Sequence, residues 1–174
     1  GVIFLGTGNQ PKAVVDSGLK LAHIAKLVRG ERYRSELLNT IMFGAYNKRI
    51  KDNRTANDWL TKDTKIVDEY LSDPKCSYKF TANAYIGFLN VIKYDIDKKN
   101  IAKTPDKLPV LFASGLEDPV GDYGKGVKKA FKMYTKYVDN VELYLYEDDR
   151  HELHSETDRE DIFSDLYEWI EENV

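Results

Sequence analysis

A strand, a helix and a second strand follow one another between residues 108 and 147, and this order constrains the fold most. The run "LPVLFAS" (108–114) is continuously apolar, which is typical of a strand covered on both faces. The run "VELYLYE" (141–147) alternates apolar and polar side chains, as in a strand nearer a sheet edge. The segment between them has apolar residues at helical spacing, namely Val127, Ala130, Phe131 and Tyr134. These lengths predict a right-handed βαβ unit, so the two strands should be parallel.

A third strand is predicted at the start of the chain. The run "GVIFL" (1–5) is apolar throughout and is also expected to be covered on both faces. A buried strand rarely opens a protein, and Gly1 is not preceded by an initiator Met, so we expect the chain to be part of a longer one. The predicted fold class is α/β, with three parallel strands and flanking helices.

The segment 11–100 contains no convincing strand and predicts only helices. Pro11 suits a first helical turn, and Gly30 ends the apolar periodicity that follows it. Ser35 and Thr81 are placed to cap two further helices. A connection of about ninety residues is far longer than an ordinary crossover, which predicts a helical lid.

The chain is therefore expected to divide into two parts. Residues 1–10 and 101–174 should form the α/β core, and residues 11–100 the lid. The last helix of the core has a predicted start at Thr157, because Thr157 and Glu160 match a capping box.

Composition excludes several classes of protein. Of 174 residues, 26 are Lys or Arg and 29 are Asp or Glu, and the basic residues are scattered, so a nucleic-acid partner is not predicted. No apolar run approaches the roughly 20 residues that span a bilayer, and no signal peptide is visible. A single cysteine, Cys76, fits a reducing compartment and favours a cytoplasmic location.

Two motifs suggest ligands but are weak. "GTGNQP" (6–11) follows a strand, yet Pro11 stands where a dinucleotide fingerprint needs its third Gly, so a tight turn is favoured and no cofactor is predicted. Five residues could supply metal ligands, namely Asp148, His151, Glu152, His154 and Glu156. This cluster contains no Cys and no third His. The spacing of the two histidines differs from the usual i, i+4 pair, so no metal is predicted.

Asp118 and His151 form the strongest constellation. Each follows the carboxyl end of a predicted parallel strand, and adjacent strands lie about 4.8 Å apart. Ligands bind outside those strand ends, so a carboxylate and an imidazole are expected to meet there. A carboxylate on one ring nitrogen orients the imidazole as a general base. The alternative is that Asp118 begins a turn before Pro119 and that His151 is a surface residue.

The order acid then histidine resembles the end of the α/β-hydrolase catalytic sequence. The chain is similar to serine hydrolases of the monoacylglycerol lipase, lysophospholipase-like and serine aminopeptidase group. The matching stretches are "GVIFLGTGNQP", "DWLTKDTKIVDEYLSDPKCSYKFTANAY", "LPVLFASGLEDPVGDYGKGV" and "LYEDDRHELHSETDREDIFSDLYEWI". They cover essentially the whole chain.

The resemblance implies a role for particular residues. By position, Asp118 is the triad acid and His151 the triad base, while His154 matches a second, non-catalytic histidine. The family's G-x-S-x-G nucleophile motif is absent, so the resemblance implies the C-terminal portion of a hydrolase that is inactive toward esters alone. Lid residues are candidates to line an acyl-chain pocket, namely Phe43, Tyr46, Trp59 and Phe88.

The expected substrate is a lysophospholipid or monoacylglycerol ester, and an aminopeptidase activity is the alternative within the family. A non-catalytic assembly domain is the alternative outside it. In that case the unpaired edge of strand 1–5 recruits the missing N-terminal half or a second copy of the chain.

Overall fold

The computed structural model describes residues 1–173 and contains three strands and seven α-helices within them. The strands are β1 (Val2–Leu5), β2 (Val110–Gly115) and β3 (Val141–Tyr146). The helices are α1 (Lys12–Arg29), α2 (Glu36–Phe43), α3 (Thr64–Ser72), α4 (Ala82–Asp95), α5 (Lys98–Ile101), α6 (Lys125–Tyr134) and α7 (Arg159–Asn173).

The strands form one parallel sheet in the order β1-β2-β3, which confirms the three predicted strands and their direction. In the register, Val110 pairs with Val2 on one side and with Val141 on the other. β2 is buried along its whole length, as predicted.

The prediction that β1 is covered on both faces is wrong. Its residues are only partly buried, and Leu5 is 42% exposed. β1 pairs with β2 on one side, and no strand pairs with its other edge within residues 1–173, so this strand has fewer neighbours than β2.

Helices cover the two faces of β2. Val110 and Phe112 pack with Val127 and Ala130 of α6 on one face. Ala113, which points to the other face, packs with Leu153 and Ile162, and Ile162 lies on α7. This alternation is the ordinary side-chain period of a strand, and it produces the flanking helices expected for an α/β fold.

Between β1 and β2 the described chain is helical, and we call residues 11–100 the helical insertion. Its caps follow the sequence prediction, since Ser35 Oγ accepts the amide of Leu38 at 3.2 Å and Thr81 Oγ1 accepts that of Ala84 at 3.1 Å. The longest helix of the insertion, α1, ends at Gly30, as predicted. Neither cap depends on contacts far along the chain, because each bond joins residues three apart.

The start of α7 differs from the prediction. The helix begins at Arg159, and the predicted capping bonds of Thr157 and Glu160 are not formed within the described residues. The residue just before Thr157 explains the difference. Glu156 is fully buried, and its carboxylate accepts bonds from Arg150 and Lys62, which fixes the chain at this point and leaves Thr157 exposed.

Within residues 1–173, no helix combines the length and the apolar character that crossing a bilayer requires.

Candidate active site

The ends of β2 and β3 bring Asp118 and His151 together. Asp118 follows β2 in a turn, and His151 follows β3 by five residues. Asp118 Oδ2 lies 3.1 Å from His151 Nδ1, a hydrogen-bond distance. The side chain of Asp118 is fully buried, whereas that of His151 is 26% exposed. The expected meeting of these two side chains at one sheet edge is thus confirmed.

The loop after β2 holds Asp118 in place. Its Oδ1 accepts the amide of Val120 at 2.8 Å, so both carboxylate oxygens have a partner. Its carbonyl accepts the amide of Tyr123 at 2.9 Å. Asp122, Tyr123 and Gly124 all have positive φ angles, which wraps the chain tightly around the carboxylate.

Gly6, the first glycine of the "GTGNQP" loop, lies directly against His151. Its φ is +60°, and a Cβ there would lie 2.6 Å from the His151 carbonyl oxygen and 2.9 Å from Nδ1. The loop is therefore a tight turn, as the sequence favoured, and it borders the imidazole.

Aromatic residues of the helical insertion form one wall beside His151. The ring centroid of Trp59 is 5.2 Å from that of His151, and Tyr46 packs edge-on against Trp59 at 4.8 Å. Phe43 stacks on Trp59 at 6.5 Å. The structure gathers three of the four candidates for an acyl pocket, but Phe88 packs against Phe80 elsewhere in the insertion.

The insertion also contacts the acid loop. Burial, reinforced by the nearby charge of Asp118, raises the pKa of Tyr46 to about 12. The phenol of Tyr46 therefore stays neutral at physiological pH. The guanidinium of Arg49 lies 3.5 Å from the ring centroid of Tyr123, a close cation–π contact.

A second cluster of charged groups lies beside this pair, and sequence reasoning named only one of its members, Glu156, as a possible metal ligand. Lys62 of the insertion bonds to the buried carboxylate of Asp149, and it lies 3.7 Å from Asp158. Glu156 completes the cluster and accepts the Lys62 amide at 2.9 Å. Only their proximity in the folded chain identifies Lys62 and Asp149, since the two residues are 87 positions apart in sequence.

Burial sets the electrostatics of this cluster. Burial raises the pKa of Asp149, although the Lys62 ammonium lowers it in part. Burial also raises the pKa of Glu156, although three hydrogen bonds to its carboxylate lower it in part. For Lys62, burial lowers the pKa, but the bond to Asp149 and the surrounding carboxylates outweigh it, and the net shift is upward. Lys62 is therefore the cation that faces the carboxylates of Asp149 and Asp158 in this cluster.

The cluster is also the place where metal ligands come together. Within residues 1–173, the group of candidate ligands consists of Asp149, Glu156 and Asp158, with ligand atoms within 4.8 Å of one another. Neither histidine from the sequence-based metal hypothesis belongs to it. His154 is exposed in a short 3₁₀ turn, Leu153–Ser155.

The pair itself has a defined chemical capacity. A buried carboxylate at Nδ1 fixes the tautomer and the orientation of the imidazole. The other nitrogen then exchanges a proton with a nucleophile or a leaving group. This arrangement suits acyl transfer, provided that a hydroxyl nucleophile is placed within reach of the ring.

Comparisons with known proteins bear on the family and the fold of the chain. A family model described as serine aminopeptidase, S33, matches residues 2–158. A thermostable carboxyl esterase from Bacillus coagulans is similar in structure, with a TM-score of 0.88 and 23% identity over 99% of this chain and 56% of that chain. A lipase in its open form is also similar, with a TM-score of 0.81 and 26% sequence identity. The match covers 98% of this chain and 56% of the lipase chain.

A soluble variant of monoglyceride lipase from Saccharomyces cerevisiae, in complex with a substrate analogue, gives a TM-score of 0.69 and 20% identity, over 100% of this chain and 56% of that chain. No curated protein matches the sequence significantly. The α/β-hydrolase fold implied by the sequence is thus confirmed. The chain spans 56% of the length of each of these three relatives.

Proposed function

Because the chain belongs to the serine aminopeptidase S33 family, we propose that it supplies the acid and the base of a serine hydrolase that cleaves carboxylic esters. The observation that carries the proposal is the 3.1 Å contact between the buried Asp118 carboxylate and His151 Nδ1. The similar solved structures include a carboxyl esterase and a lipase, which supports ester cleavage.

The proposed mechanism proceeds through an acyl-enzyme. A serine from the part of the protein outside this chain attacks the ester carbonyl, and His151 takes the hydroxyl proton through its second ring nitrogen. The proton then passes to the leaving alcohol, and water hydrolyses the acyl-enzyme with His151 again as base. Asp118 orients the imidazole and stabilises its positive charge. The chain alone has no nucleophile in G-x-S-x-G context and should be inactive toward esters.

The favoured substrate is a monoacylglycerol or a lysophospholipid. The aromatic wall of Phe43, Tyr46 and Trp59 beside His151 supports an apolar acyl group, because such rings offer large apolar surfaces. In this proposal, residues 11–100 act as a lid that recognises the acyl chain. Cys76 fits a cytoplasmic protein, and that location remains a prediction.

Substitution of His151 in the full-length protein tests the proposal. His151→Ala should abolish labelling by a fluorophosphonate and turnover of a monoacylglycerol, because the proton acceptor is removed. His154→Ala is the matched control, since His154 is exposed three residues away, and it should keep both activities. Undiminished labelling and turnover in His151→Ala would contradict the assignment.

Two other functions remain as alternatives. An aminopeptidase would cleave an aminoacyl anilide faster than a fatty-acyl ester of the same leaving-group reactivity. A non-catalytic assembly domain would bind a second polypeptide through the outer edge of β1, and the full-length protein would not react with a fluorophosphonate. Comparison of the two substrates and the labelling assay separates these outcomes.

A further inference from the structure

We propose that Glu156 is a positioning residue, which fastens the loop of His151 to residues 58–62 of the helical insertion and thereby sets where the imidazole stands. The inference deepens the proposed function and rests on it for its kinetic consequences. Its structural part, the link between Glu156 and the orientation of His151, stands on the contacts alone.

The loop after β2 holds the turn before His151 as far as Asp149, whose carbonyl accepts the amide of Glu117 at 2.8 Å. β3 ends at Tyr146, and a turn of four residues separates it from His151. Asp148 in this turn has a positive φ of 61°. The side-chain hydrogen bond found at His151 within the described residues is the one to Asp118, and Gly6 and Trp59 pack against the ring without bonding to it. Another constraint must therefore hold the backbone beyond Asp149.

Three successive backbone amides around His151 provide that constraint. The amide of Arg150 donates to Glu156 Oε1 at 2.7 Å. The amides of His151 and Glu152 donate to the carbonyls of Trp59 and Leu60, at 3.4 and 2.7 Å. The peptide on both sides of the histidine is thus tied to the insertion or to Glu156.

Glu156 joins the two sides of this contact. Its second oxygen, Oε2, accepts the amide of Lys62 at 2.9 Å, and it shares the hydroxyl proton of Thr61, at 3.0 Å, with the Ser155 carbonyl at 2.8 Å. One carboxylate therefore binds the residue before the histidine and two residues of the insertion. The guanidinium of Arg150 adds bonds to the carbonyls of Asp58 at 2.7 Å and Thr61 at 2.9 Å.

The chemistry of these bonds requires a carboxylate. Glu156 is fully buried, and both of its oxygens face hydrogen-bond donors. A glutamine has the same shape but only one acceptor oxygen. Its NH₂ group would face a hydrogen-bond donor and could not accept a bond from it. Glu156→Gln must therefore lose the contact to Arg150 or the contact to the insertion.

Glu156→Gln in the full-length protein tests the proposal, with Glu160→Gln as the matched control. Glu160 is an exposed acid in the first turn of α7. We expect kcat of Glu156→Gln toward a monoacylglycerol to fall roughly tenfold to a hundredfold. The reason is that displacement of His151 slows the chemical step more than it weakens substrate binding. KM should change less than kcat, since Phe43 and Tyr46 of the aromatic wall lie outside residues 58–62. Glu160→Gln should match the wild type.

A second measurement is independent of catalysis. In protein labelled with ¹⁵N-histidine, the Nδ1 proton of His151 reports its bond to Asp118. Glu156→Gln should shift or broaden this resonance in the folded protein, whereas Glu160→Gln should leave it in place. If the wild type lacks esterase activity, the proposed function fails, and this resonance still decides whether Glu156 positions His151.

Other outcomes would overturn the inference. If Glu156 is merely structural, the variant loses thermal stability while its folded fraction keeps the wild-type kcat and the wild-type resonance. If Glu156→Gln does not fold, Thr61→Val replaces it, because this change removes the hydroxyl that the insertion directs at Glu156 Oε2 and at the neighbouring Ser155 carbonyl. Thr61→Val should lower kcat in the same direction by a smaller factor, and an unchanged kcat and resonance would reject the proposal.

Discussion

At the scale of single residues, the contact between Gly6 and His151 connects the first strand to the candidate base. Any side chain at position 6 would meet the backbone of His151, because the nearest atom to a Cβ is the His151 carbonyl oxygen at 2.6 Å. A backbone neighbour moves less easily than the end of a flexible side chain. The contact therefore constrains residue 6 by space as well as by its φ angle.

Gly6→Ala should displace His151 and lower the rate of fluorophosphonate labelling of the full-length protein by roughly a hundredfold, the effect expected of a small displacement of a catalytic group. Gly30→Ala is the matched control. Gly30 also has a positive φ, but a Cβ there meets nothing within 4 Å. It should lose about 1–3 kcal/mol of stability from backbone strain and keep its labelling rate. Equal labelling rates in the two variants would contradict the prediction.

The two candidate catalytic residues were predictable because their placement follows a topological rule. Asp118 and His151 each follow a strand, and parallel strands present their carboxyl ends at one edge. Glu156 and Asp149 were not predictable in this way. Their partner Lys62 lies in a different part of the chain, and nothing in the local pattern distinguishes a buried acid from the exposed acids around it.

At the scale of elements, α4 contains a glycine that contributes no contact. Gly87 lies in the middle of the helix, is exposed, and a Cβ there would meet nothing within 4 Å. Gly87→Ala should raise the free energy of unfolding by about 0.5–1 kcal/mol, because alanine loses less conformational entropy in a helix. Urea denaturation measures this change.

Gly18 in α1 is a control for the same gain in helix propensity. A Cβ at Gly18 would lie 3.1 Å from Leu89 Cδ1, where α1 packs against α4. Gly18→Ala should therefore gain less than Gly87→Ala, or lose stability. A larger gain at Gly18 than at Gly87 would show that the packing of α1 on α4 is looser than the structure indicates.

Prediction from sequence worked for elements whose ends are decided locally. The N-caps at Ser35 and Thr81 formed as expected, because the capping oxygen and its amide are three residues apart. The capping box at Thr157 did not form, although its pattern is equally clear. The buried Glu156 beside it is fixed by Lys62, and this long-range contact decided the local geometry.

At the scale of the whole molecule, Asp149 links the helical insertion to the core through Lys62 and makes stability depend on pH. Burial raises the pKa of Asp149 above its ordinary value of 3.8 despite the Lys62 ammonium. The folded protein therefore binds this proton more tightly than the unfolded chain. Protonated Asp149 therefore adds to the free energy of unfolding. This contribution is complete below pH 3.8 and is lost as the pH rises through the pKa of Asp149 in the folded protein.

Asp149→Asn removes this titration. Relative to the wild type, its free energy of unfolding should rise from about pH 4 toward neutral pH, as the buried carboxylate of the wild type ionises. Denaturation by urea across this range measures the difference. Asp148→Asn, at the exposed neighbour, controls for the loss of one negative charge. A difference that stays constant or falls with rising pH would contradict the prediction.

The outer edge of β1 is the other feature that acts on the whole molecule. The amides of Val2 and Gly6 bond to the carbonyls of Pro109 and Ala113, each at 2.9 Å. By the alternation of a strand, the amides of Ile3 and Leu5 point away from β2. The unpaired edge of an apolar strand recruits another strand, so we propose that the isolated chain self-associates through this edge.

Ile3→Pro should block this association and leave the sheet intact, because proline removes only an amide that β2 does not use. Sedimentation at micromolar concentration should show oligomers for the chain 1–174 and monomers for Ile3→Pro. Ile3→Val is the control, since it keeps the amide and the apolar character of the strand, and it should associate like the wild type. A well-behaved monomer for the unsubstituted chain at these concentrations would mean that the edge of β1 recruits no partner by itself.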